Sequence, residues 1–559
     1  MANTLSLGSG NWGAKDSLLL GYYENGKKFF PETFDVTRAT GGTRVNKDGL
    51  IETPAEIGSE LITNGDFSNG STDWDASVSG TSSVVFTDVA TLNIDGSNSN
   101  VGIYQQDVFS TGKVYKVSLR MKASANFDAE VIESQGAVLV STIATGISLT
   151  TSYQDFTFYH TATGNNDIFV HRLYSGSGAN QNITIDNVSV KEYNDKNLAR
   201  IDYLDDAKGA LLTEPQSTNL VTYSESFNSW AQIQETSLIE TETISPSGEA
   251  NSIKFLSTGN SSKVRNNFSS VSGETYTFSV YCQNIDATQI TILAYDGVNS
   301  FEKNIVTDIN TSTWSRVSLT FTSTNTGAGQ IQLGRNIPNG QSAYFWGAQL
   351  EQENALGYNG EYATSYIPTD GSTVTRNKDE VTNGGDANSF NSEEGVLYSE
   401  MASNNKPSGI QRTISINSGT NDNRISLYYH ATQDNVIVSR VYQNNVSLWA
   451  QDILLSNEGT SSETMNKFAL KYSSNGFEIW MNGVKKGSSS AAFNFPSPLS
   501  QLSFDRGTGG SPFFGKTKNA QVFNTALSDS DLLSLTTTGL VPYWKQYSAM
   551  ATTLNYTNK

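Results

Sequence analysis

Acidic side chains are the first candidates for chemistry in this sequence. Hydrolysis of a glycosidic bond needs two carboxyl groups about 5–10 Å apart. Asp205 with Asp206 and Glu393 with Glu394 are adjacent in the chain, and adjacent strand residues point to opposite faces. Glu478 stands alone between apolar neighbours. We therefore interpret these acids as solvated surface groups and not as a catalytic pair.

The other residue types used in catalysis are sparse. His160, His171 and His430 share no ligand spacing, and the single cysteine, Cys282, lies in an alternating strand with no base beside it. One cysteine excludes a disulfide framework and a cysteine-rich zinc site. No nucleophile elbow, zinc-protease motif or phosphate-binding loop is present. The sequence therefore predicts no catalytic residue, no enzyme activity and no required cofactor.

Exposed aromatic rings could do a different kind of chemistry, because their faces stack on sugar rings while polar neighbours bind the hydroxyls. The candidates for binding carbohydrate are Tyr104, Tyr428, Tyr429 and Trp449. The two adjacent tyrosines must place one ring on each face of a strand, so we expect one of them to be exposed. Trp74 is expected in a core instead, because Trp230 takes the matching place in an internal repeat.

Composition and charge exclude several partners. The 559 residues include 36 Lys+Arg and 55 Asp+Glu, a formal net charge of −19, whereas a nucleic-acid surface needs clustered basic residues. The apolar runs are only a few residues long, so no membrane insertion is expected. The N-terminus has no signal-peptide features, which predicts a soluble chain made in the cytoplasm.

Short alternating segments separated by turn residues predict strands almost everywhere. Residues 114–120 and 275–281 alternate with a period of two, and 477–481 runs into Asn482-Gly483, the favoured two-residue hairpin turn. The best helix is 528–535, where Ser528 can cap and Asp531 follows three residues later. One short helix among so many strands indicates an all-β chain.

An internal repeat defines two of the domains. Residues 61–68 with Trp74 match 220–227 with Trp230, and the closing segments 183–192 and 343–352 match each other about 120 residues later. Both copies also carry a strand that begins with Thr-x-Tyr or Thr-Trp. We predict β-sandwiches at 58–193 and 219–371.

The first copy resembles the jelly rolls of carbohydrate-binding modules of the family 4/9 type. The resemblance lies in Asn64-Gly65-Asp66-Phe67 with Trp74, and in Asp186-Asn187-Val188. The second copy keeps Phe227 and Trp230 but has Trp346-Gly347-Ala348 at the closing position. The resemblance implies tandem jelly rolls.

A structural calcium is a possible cofactor of the first jelly roll. The closing strand predicts that Asp186 points inward with Val188 and Val190, and a buried carboxylate costs several kcal/mol unless it is paired or metal-bound. Modules of the resembled family often hold calcium here, and Asp66 could supply a second oxygen ligand. Hydrogen bonding of Asp186 to backbone amides is an equal alternative. We predict no matching ion in the second copy, because Trp346 replaces the aspartate.

Several strings resemble sequences of bacteriophage fibre proteins. These are residues 34–40, Thr43-Arg44-Val45-Asn46, Gly49-Leu50-Ile51-Glu52, Arg200-Ile201-Asp202-Tyr203, 211–220 and 363–369. In such proteins the Gly-Leu-Ile-Glu and Arg-x-Asp-Tyr strings are usually close neighbours. Residues 58–193 are therefore predicted to be an insertion, and 194–218 a connecting segment that pairs with the N-terminal region 1–57.

The C-terminal region resembles a laminin-G or concanavalin-A-like sandwich. The match lies in 467–472, 477–484 and 520–528, which place a strand, an Asn-Gly hairpin, a final strand and a short helix in the usual order. We predict such a domain at 372–540, followed by a C-terminal tail, 541–559. The predicted fold is all-β: tandem jelly-roll β-sandwiches followed by a concanavalin-A-like β-sandwich.

These resemblances imply a non-enzymatic structural protein of the phage virion, either a head or tail fibre or a decoration protein. Residues 1–57 would dock to other virion proteins, and the sandwiches would bind glycans of the host surface for attachment. Phage fibres are usually homotrimers, which also hides exposed sheet edges. A depolymerase or accessory enzyme with carboxylates from separated strands is one alternative, and a purely structural spacer is another.

Overall fold

A computed structural model describes residues 4–15, 18–24, 29–78, 80–95, 101–172, 181–240, 243–354, 360–404 and 409–538. The predicted tail 541–559 lies outside these residues. The chain divides into two compact units, Met1–Pro54 with Lys196–Lys559 as the first and Ala55–Asp195 as the second. Within the described ranges, no helix has the length and apolar character needed to cross a membrane.

The chain is nearly all β, as its alternating segments predict. The N-terminal strands are β1 (Leu5–Gly8), β2 (Ala14–Lys15), β3 (Leu18–Glu24), β4 (Phe29–Thr37), β5 (Arg44–Val45) and β6 (Ile51–Glu52). The second unit contains β7 (Glu56–Glu60), β8 (Asp75–Ser77), β9 (Ser83–Phe86), β10 (Ala90–Ile94), β11 (Gly102–Gln105), β12 (Val114–Ala123), β13 (Phe127–Gln135), β14 (Val138–Leu149), β15 (Gln154–Thr161), β16 (Asp167–Arg172) and β17 (Gln181–Asn194).

The first unit resumes after this insertion. It continues with β18 (Arg200–Asp202), β19 (Ala210–Thr213), β20 (Ser217–Asn219), β21 (Gln232–Gln234), β22 (Thr236–Glu240), β23 (Ile253–Ser257), β24 (Lys263–Ser270), β25 (Thr275–Asn284), β26 (Thr291–Tyr295), β27 (Ser300–Asn304), β28 (Ser315–Thr322), β29 (Gly327–Arg335), β30 (Ser342–Gln352) and β31 (Val374–Arg376). It ends with β32 (Glu380–Thr382), β33 (Gly395–Ser403), β34 (Arg412–Asn417), β35 (Arg424–Tyr429), β36 (Val436–Gln443), β37 (Val446–Leu454), β38 (Asn466–Ser473), β39 (Gly476–Met481), β40 (Val484–Ser489), β41 (Gln501–Ser503), β42 (Gly515–Phe523) and helix α1 (Asp529–Thr536). Two short 3-10 helices are Phe227–Ser229 and Leu455–Glu458.

The two jelly rolls share one topology, which supports the repeat found in the sequence. The second unit has sheets in the order β15-β12-β17-β10-β9 and β14-β13-β16-β11-β8. The sandwich of residues 219–371 has the orders β28-β25-β30-β23-β22 and β27-β26-β29-β24-β21. Each of these ten strands of one copy therefore has a counterpart in the same place of the other, whereas β7, which pairs with β17, occurs in the second unit alone. Each copy has its own apolar core between its sheets, which includes the buried Trp74 and Trp230 as predicted.

The closing strand of each copy contains the same bulge. In the second unit the β12–β17 register shifts between Ser118 and Arg120, and Asn187 has a φ of 51°. In the other copy the β25–β30 register shifts at the matching place, and Gly347 has a φ of 64°. Asparagine and glycine are the residues that best tolerate this left-handed backbone.

The last sandwich pairs a twelve-stranded sheet with the five-stranded sheet β37-β36-β35-β34-β41. Large apolar side chains of the two sheets, such as Leu397, Leu470 and Leu427, fill the core between them. Helix α1 lies against the other face of the large sheet, where Leu532 packs on Val396 and Trp480. The Ser528 hydroxyl accepts the backbone N–H of Asp531 at 3.2 Å, so the predicted cap is present.

The N-terminal strands belong to this last sandwich, which corrects the prediction of 1–57 as a separate docking region. β1 pairs with β42, with Leu5 opposite Val522, and β4 pairs with β32. Leu5, Leu7 and Phe34 are completely buried in the core of the sandwich. The apolar alternation of these strands therefore completes a sheet that also contains β18, β19 and, more than 340 residues later, β32, β33, β38–β40 and β42.

Candidate functional site

A cavity of about 700 Å³ opens within the first unit, and we call it the junction cavity. Its walls come from segments 43–51 and 202–214, from the jelly roll of residues 219–371, and from segment 362–366. Leu204 and Ile244 at the cavity are 65% and 54% exposed. The volume falls within the range of small-molecule sites, which are mostly concave, apolar and furnished with a few polar groups.

Aromatic rings form one wall of the junction cavity. Trp346 stands at the bulge of β30 and packs on Tyr366 and Tyr281, with ring centroids 4.7 and 5.6 Å away. Tyr281 and Tyr366 line the cavity in front of it. Trp314 lines it as well, and its indole N–H donates to the Ile244 carbonyl at 2.9 Å, which fixes the plane of the ring.

Charged groups stand beside this aromatic wall. The Arg316 guanidinium lies 5.4 Å from the centroid of Tyr281 and donates to the Thr364 carbonyl and the Ser279 hydroxyl. The Lys516 ammonium is 2.9 Å from an Asp202 carboxylate oxygen. Burial alone would lower the pKa of Lys516, but the nearby carboxylates of Asp202 and Asp205 raise it. The ammonium group is therefore charged at neutral pH.

A buried ionic cluster anchors the cavity walls, and we call it the arginine–carboxylate cluster. Its members are Arg38, Arg200, Arg376, Glu214 and Asp379. Arg200 is 2.8 Å from Glu214 and also binds Asp379, which lies 2.8 Å from Arg38. Burial alone would raise the pKa of the Glu214 carboxyl, but Arg376 and Arg200 lower it to about 2.

Several of the strings singled out in the sequence meet at or beside this cluster. Arg200 donates to the carbonyl of Thr43, and the Asp202 carboxylate accepts the backbone N–H of Val45 at 2.9 Å. The Ser365 hydroxyl donates to Glu214 at 2.6 Å. Strings that are far apart in the chain therefore form one hydrogen-bonded framework, and the junction cavity lies on it.

The sequence-predicted sugar ligand Tyr104 lies in the second unit, on β11. Its half-buried ring meets Phe169 edge to face at 6.1 Å, and Phe169 stacks on His171 at 4.6 Å. His171 Nε2 is 3.3 Å from the Glu130 carboxylate. Tyr104 therefore stands among groups that could bind a sugar, and its predicted role remains a prediction.

The other predicted sugar ligands are packed more tightly than expected. Tyr428 and Tyr429 are only 4% and 3% exposed, which corrects the expectation that one ring is free. Tyr429 faces the core and donates to the Met401 carbonyl, while Tyr428 lies on the outer face under Arg440. Trp449 stacks on Phe477 at 5.7 Å and faces the core.

The two residues predicted to hold calcium are not buried: Asp66 is exposed and Asp186 is half-buried. The bulge turns Asp186 away from the core, because Ile185 and Val188 occupy the inward positions on either side of it. The inward orientation predicted for Asp186 is therefore wrong. Its carboxylate accepts the N–H of Asn187, while exposed Asp66 accepts from Ser68. Among the described residues, no group of three His, Cys, Asp or Glu side chains could hold a metal ion.

The candidate acids of the sequence serve as ion-pair partners. Glu478 lies 3.1 Å from Lys485, and Asp205 and Asp206 bind Lys516 and Lys518. The structure instead brings together two carboxylates that are 145 positions apart. Glu225 and Asp370 line a shallow depression of about 320 Å³, and burial raises the pKa of Glu225.

The residues of the junction cavity were not singled out in the sequence. Trp314 occurs in the strand that matches Tyr153 of the first copy, so the repeat was the available signal. Tyr153 itself lies under Lys122 and Arg120, with distances of 4.4 and 4.8 Å to the ring centroid. In the other copy the cation stands on this strand instead, where Arg316 of β28 lies over the ring of Tyr281 on β25.

Comparisons with known proteins give structural neighbours only. No protein-family model and no curated protein matches the chain. A carbohydrate-binding module, CBM40, of the Ruminococcus gnavus IT-sialidase bound to alpha2,3 sialyllactose is 21% identical, with 26% of this chain and 84% of that chain covered and a TM-score of 0.23. The tandem CBM22 domains of Paenibacillus barcinonensis Xyn10C are 11% identical over 53% of this chain and 99% of theirs, with a TM-score of 0.21. Trypanosoma rangeli sialidase is 10% identical over 95% and 98%, with a TM-score of 0.22.

Proposed function

We propose that this chain is a non-enzymatic, glycan-binding structural protein of a bacteriophage particle that attaches the particle to a host surface. The observation that carries the proposal is the junction cavity, where Trp314 and Tyr281 stand beside Arg316 and the Asp202–Lys516 pair. Flat rings accept the apolar face of a sugar, and charged or amide groups bind its hydroxyls. Attachment does not require tight single sites, because many copies on one particle multiply weak affinities.

Replacing Trp314 by alanine tests the cavity. We expect the wild-type protein to bind members of a panel of neutral tri- and tetrasaccharides built from glucose, galactose, mannose or N-acetylglucosamine. W314A should bind them about tenfold more weakly, which corresponds to about 1.4 kcal/mol, because the stacking face is lost. Isothermal titration measures this difference.

Tyr344 supplies the matched control. Its ring lies 6.4 Å from Trp314 but does not line the cavity, so Y344A should keep the wild-type affinity. Unchanged binding by W314A, or no binding of any panel sugar by the wild type, would contradict the proposal and favour a spacer role.

The phage-like strings support a location in the virion, with synthesis in the host cytoplasm and other virion proteins as partners. The strings supply Arg38, Arg200 and Glu214 of the arginine–carboxylate cluster, so the resemblance concerns the framework on which the cavity stands. Because β1, β3 and β4 are part of the last sandwich, docking to the particle would use the outer surface of that sandwich.

Self-association to a homotrimer is supported by one exposed sheet edge. The edge strand β14 of the second unit leaves Val138 and Leu139 69% and 56% exposed. Such edges are usually covered by pairing or by a partner. We expect light scattering to give about three times the 60.6 kDa of one chain. A mass of one chain at micromolar concentration would remove the trimer from the proposal.

A glycan-cleaving enzyme is the second candidate, favoured by the Glu225–Asp370 depression. A carboxyl whose pKa is raised by burial can donate a proton to a leaving sugar oxygen. Release of reducing ends from host polysaccharide that E225Q abolishes would establish this candidate. Equal, background-level release by the wild type and E225Q would exclude it.

A further inference from the structure

Three arginines converge on the outer face of one sheet in the last sandwich. Arg424 on β35 lies opposite Tyr442 on β36. Arg440 precedes Tyr442 by two residues on β36 and therefore lies on the same face of the sheet. Arg506 follows β41 and is close enough to add to the positive potential at Arg424. We call Arg424, Arg440, Arg506, Tyr428 and Tyr442 the arginine–tyrosine face.

The positive charge of this face is not neutralised by ion pairs. In the described part of the chain, none of the three guanidinium groups lies within ion-pair distance of a carboxylate, although other arginines of this acidic protein do. Exposed Asp452 lies opposite Val438 on this face, and the buried carboxylate of Asp505, next to Arg506 in the chain, accepts the backbone N–H groups of Gly507 and Gly509. Burial and the neighbouring Arg506 and Arg440 lower the pKa of Arg424, as expected for cations without counter-charges.

The tyrosines hold the guanidinium groups in fixed planes. Arg424 stacks on Tyr442 with its central carbon 3.7 Å from the ring centroid. Arg440 lies 5.7 and 6.0 Å from the centroids of Tyr442 and Tyr428, and it donates to the Tyr442 hydroxyl at 3.1 Å. Arg424 also donates to the carbonyl of Asn421. Because stacking occupies the face of the guanidinium and not its plane, the terminal N–H groups of Arg440 and Arg506 can bond to a planar anion.

The face is open to a ligand. Arg440, Tyr442 and Arg506 are half-buried, and the neighbouring strand β37 presents only small exposed side chains there. Ala450 lies opposite Arg440 and Ser447 lies opposite Tyr442. No bulky group of β37 therefore covers the two side chains.

We infer that the arginine–tyrosine face is a second binding site, separate from the junction cavity, that takes the carboxylate of an acidic sugar unit. A carboxylate accepts paired N–H bonds from one guanidinium, and these charge-assisted bonds are stronger than neutral ones. The half-buried Tyr442 adds apolar surface beside the guanidinium groups. A net charge of −19 disfavours nucleic acid, whose many phosphates would be repelled.

Paired probes that differ only in charge test the site. Tri-galacturonate and its carboxyl-reduced form represent uronic acids, while N-acetylneuraminic acid and its methyl ester represent sialic acids. At 50 mM salt we expect at least one acid to bind tenfold more tightly than its neutral partner, measured by ligand-observed NMR titration of the full chain. The pair that responds identifies the source of the carboxylate. Equal binding of acid and neutral forms in both pairs, or no binding of either acid, would overturn the inference.

Variants locate the binding on the face. R440Q should weaken acid binding at least tenfold. R440K should weaken it less, because lysine keeps the positive charge, although it cannot donate two parallel N–H bonds to one carboxylate as arginine does. R265Q removes an arginine of strand β24, in the jelly roll of residues 219–371, and should have no effect. Thermal unfolding of each variant checks the fold, and full acid binding by folded R440Q would overturn the inference. W314A should retain acid binding and R440Q should retain neutral-sugar binding, so failure of either site is recognised separately.

Discussion

Replacing Arg200 by methionine should lower the free energy of unfolding of the first unit by about 3–5 kcal/mol. Arg200 is completely buried and bridges Glu214 and Asp379 in the arginine–carboxylate cluster. Its removal leaves two buried carboxylates with less positive charge, and the desolvation cost of those carboxylates is then uncompensated. Urea unfolding of the full chain measures the loss. Hydrogen exchange should increase in segments 43–51 and 362–366, which the cluster anchors.

Arg44 provides the control for this variant. It pairs with Glu52 at 2.8 Å in a half-exposed position, where an ion pair contributes less than about 1 kcal/mol. R44M should therefore unfold close to the wild-type midpoint. A loss in R200M as small as that in R44M would show that Arg38 and Arg376 neutralise both carboxylates unaided.

Replacing Glu133 by glutamine should destabilise the second unit by about 3 kcal/mol at neutral pH. Glu133 is completely buried on β13 and accepts hydrogen bonds from His160 at 2.8 Å and from Asn166. The backbone N–H groups of Thr163 and Gly164 donate to it as well. Burial alone would raise the pKa of this carboxyl, but these donors lower it to about 2, from an ordinary value of 4.5. The difference between these two pKa values sets the size of the expected destabilisation.

The pH dependence follows from the direction of this shift. Because the folded state holds the Glu133 pKa below its unfolded value, the stabilisation is complete above about pH 4.5 and is lost as the pH falls towards 2. The difference between wild type and E133Q should therefore be largest at pH 7 and smaller at pH 3.5. Urea unfolding at several pH values measures it.

Asp155 is a matched control for the Glu133 variant. Its side chain is mostly exposed on β15, with Arg120 3.9 Å away, so D155N should change stability by less than about 0.5 kcal/mol. A pH-independent difference between wild type and E133Q would mean that packing, and not charge, stabilises the loop around residues 163–166.

The sequence determined the local structure of this protein. Alternation with period two and turn residues such as Asn482-Gly483 specify strands and hairpins, because side-chain direction in a strand depends only on neighbouring residues. The repeat was visible because both jelly rolls keep the same core positions, including Trp74 and Trp230. The α1 cap at Ser528 was equally local.

The bulge of the closing strands shows where local reasoning fails. Strict alternation placed Asp186 inside, but the extra residue at Asn187 reverses the faces and turns Asp186 outward. The same reversal places Trp346 on the outer face of the other copy, where it supports the junction cavity. A shift of one residue thus decided both the orientation of Asp186 and the position of an aromatic wall.

Only the tertiary structure decided which distant residues meet. The N-terminal strands join a sheet of the last sandwich, and Arg38, Arg200 and Asp379 meet although 341 positions separate the first from the last. Charge pairing and strand pairing between such distant segments leave no periodic trace in a single sequence. The junction cavity and the arginine–tyrosine face depend on those long-range contacts and on strand register, whereas the all-β fold depends on patterns a few residues long.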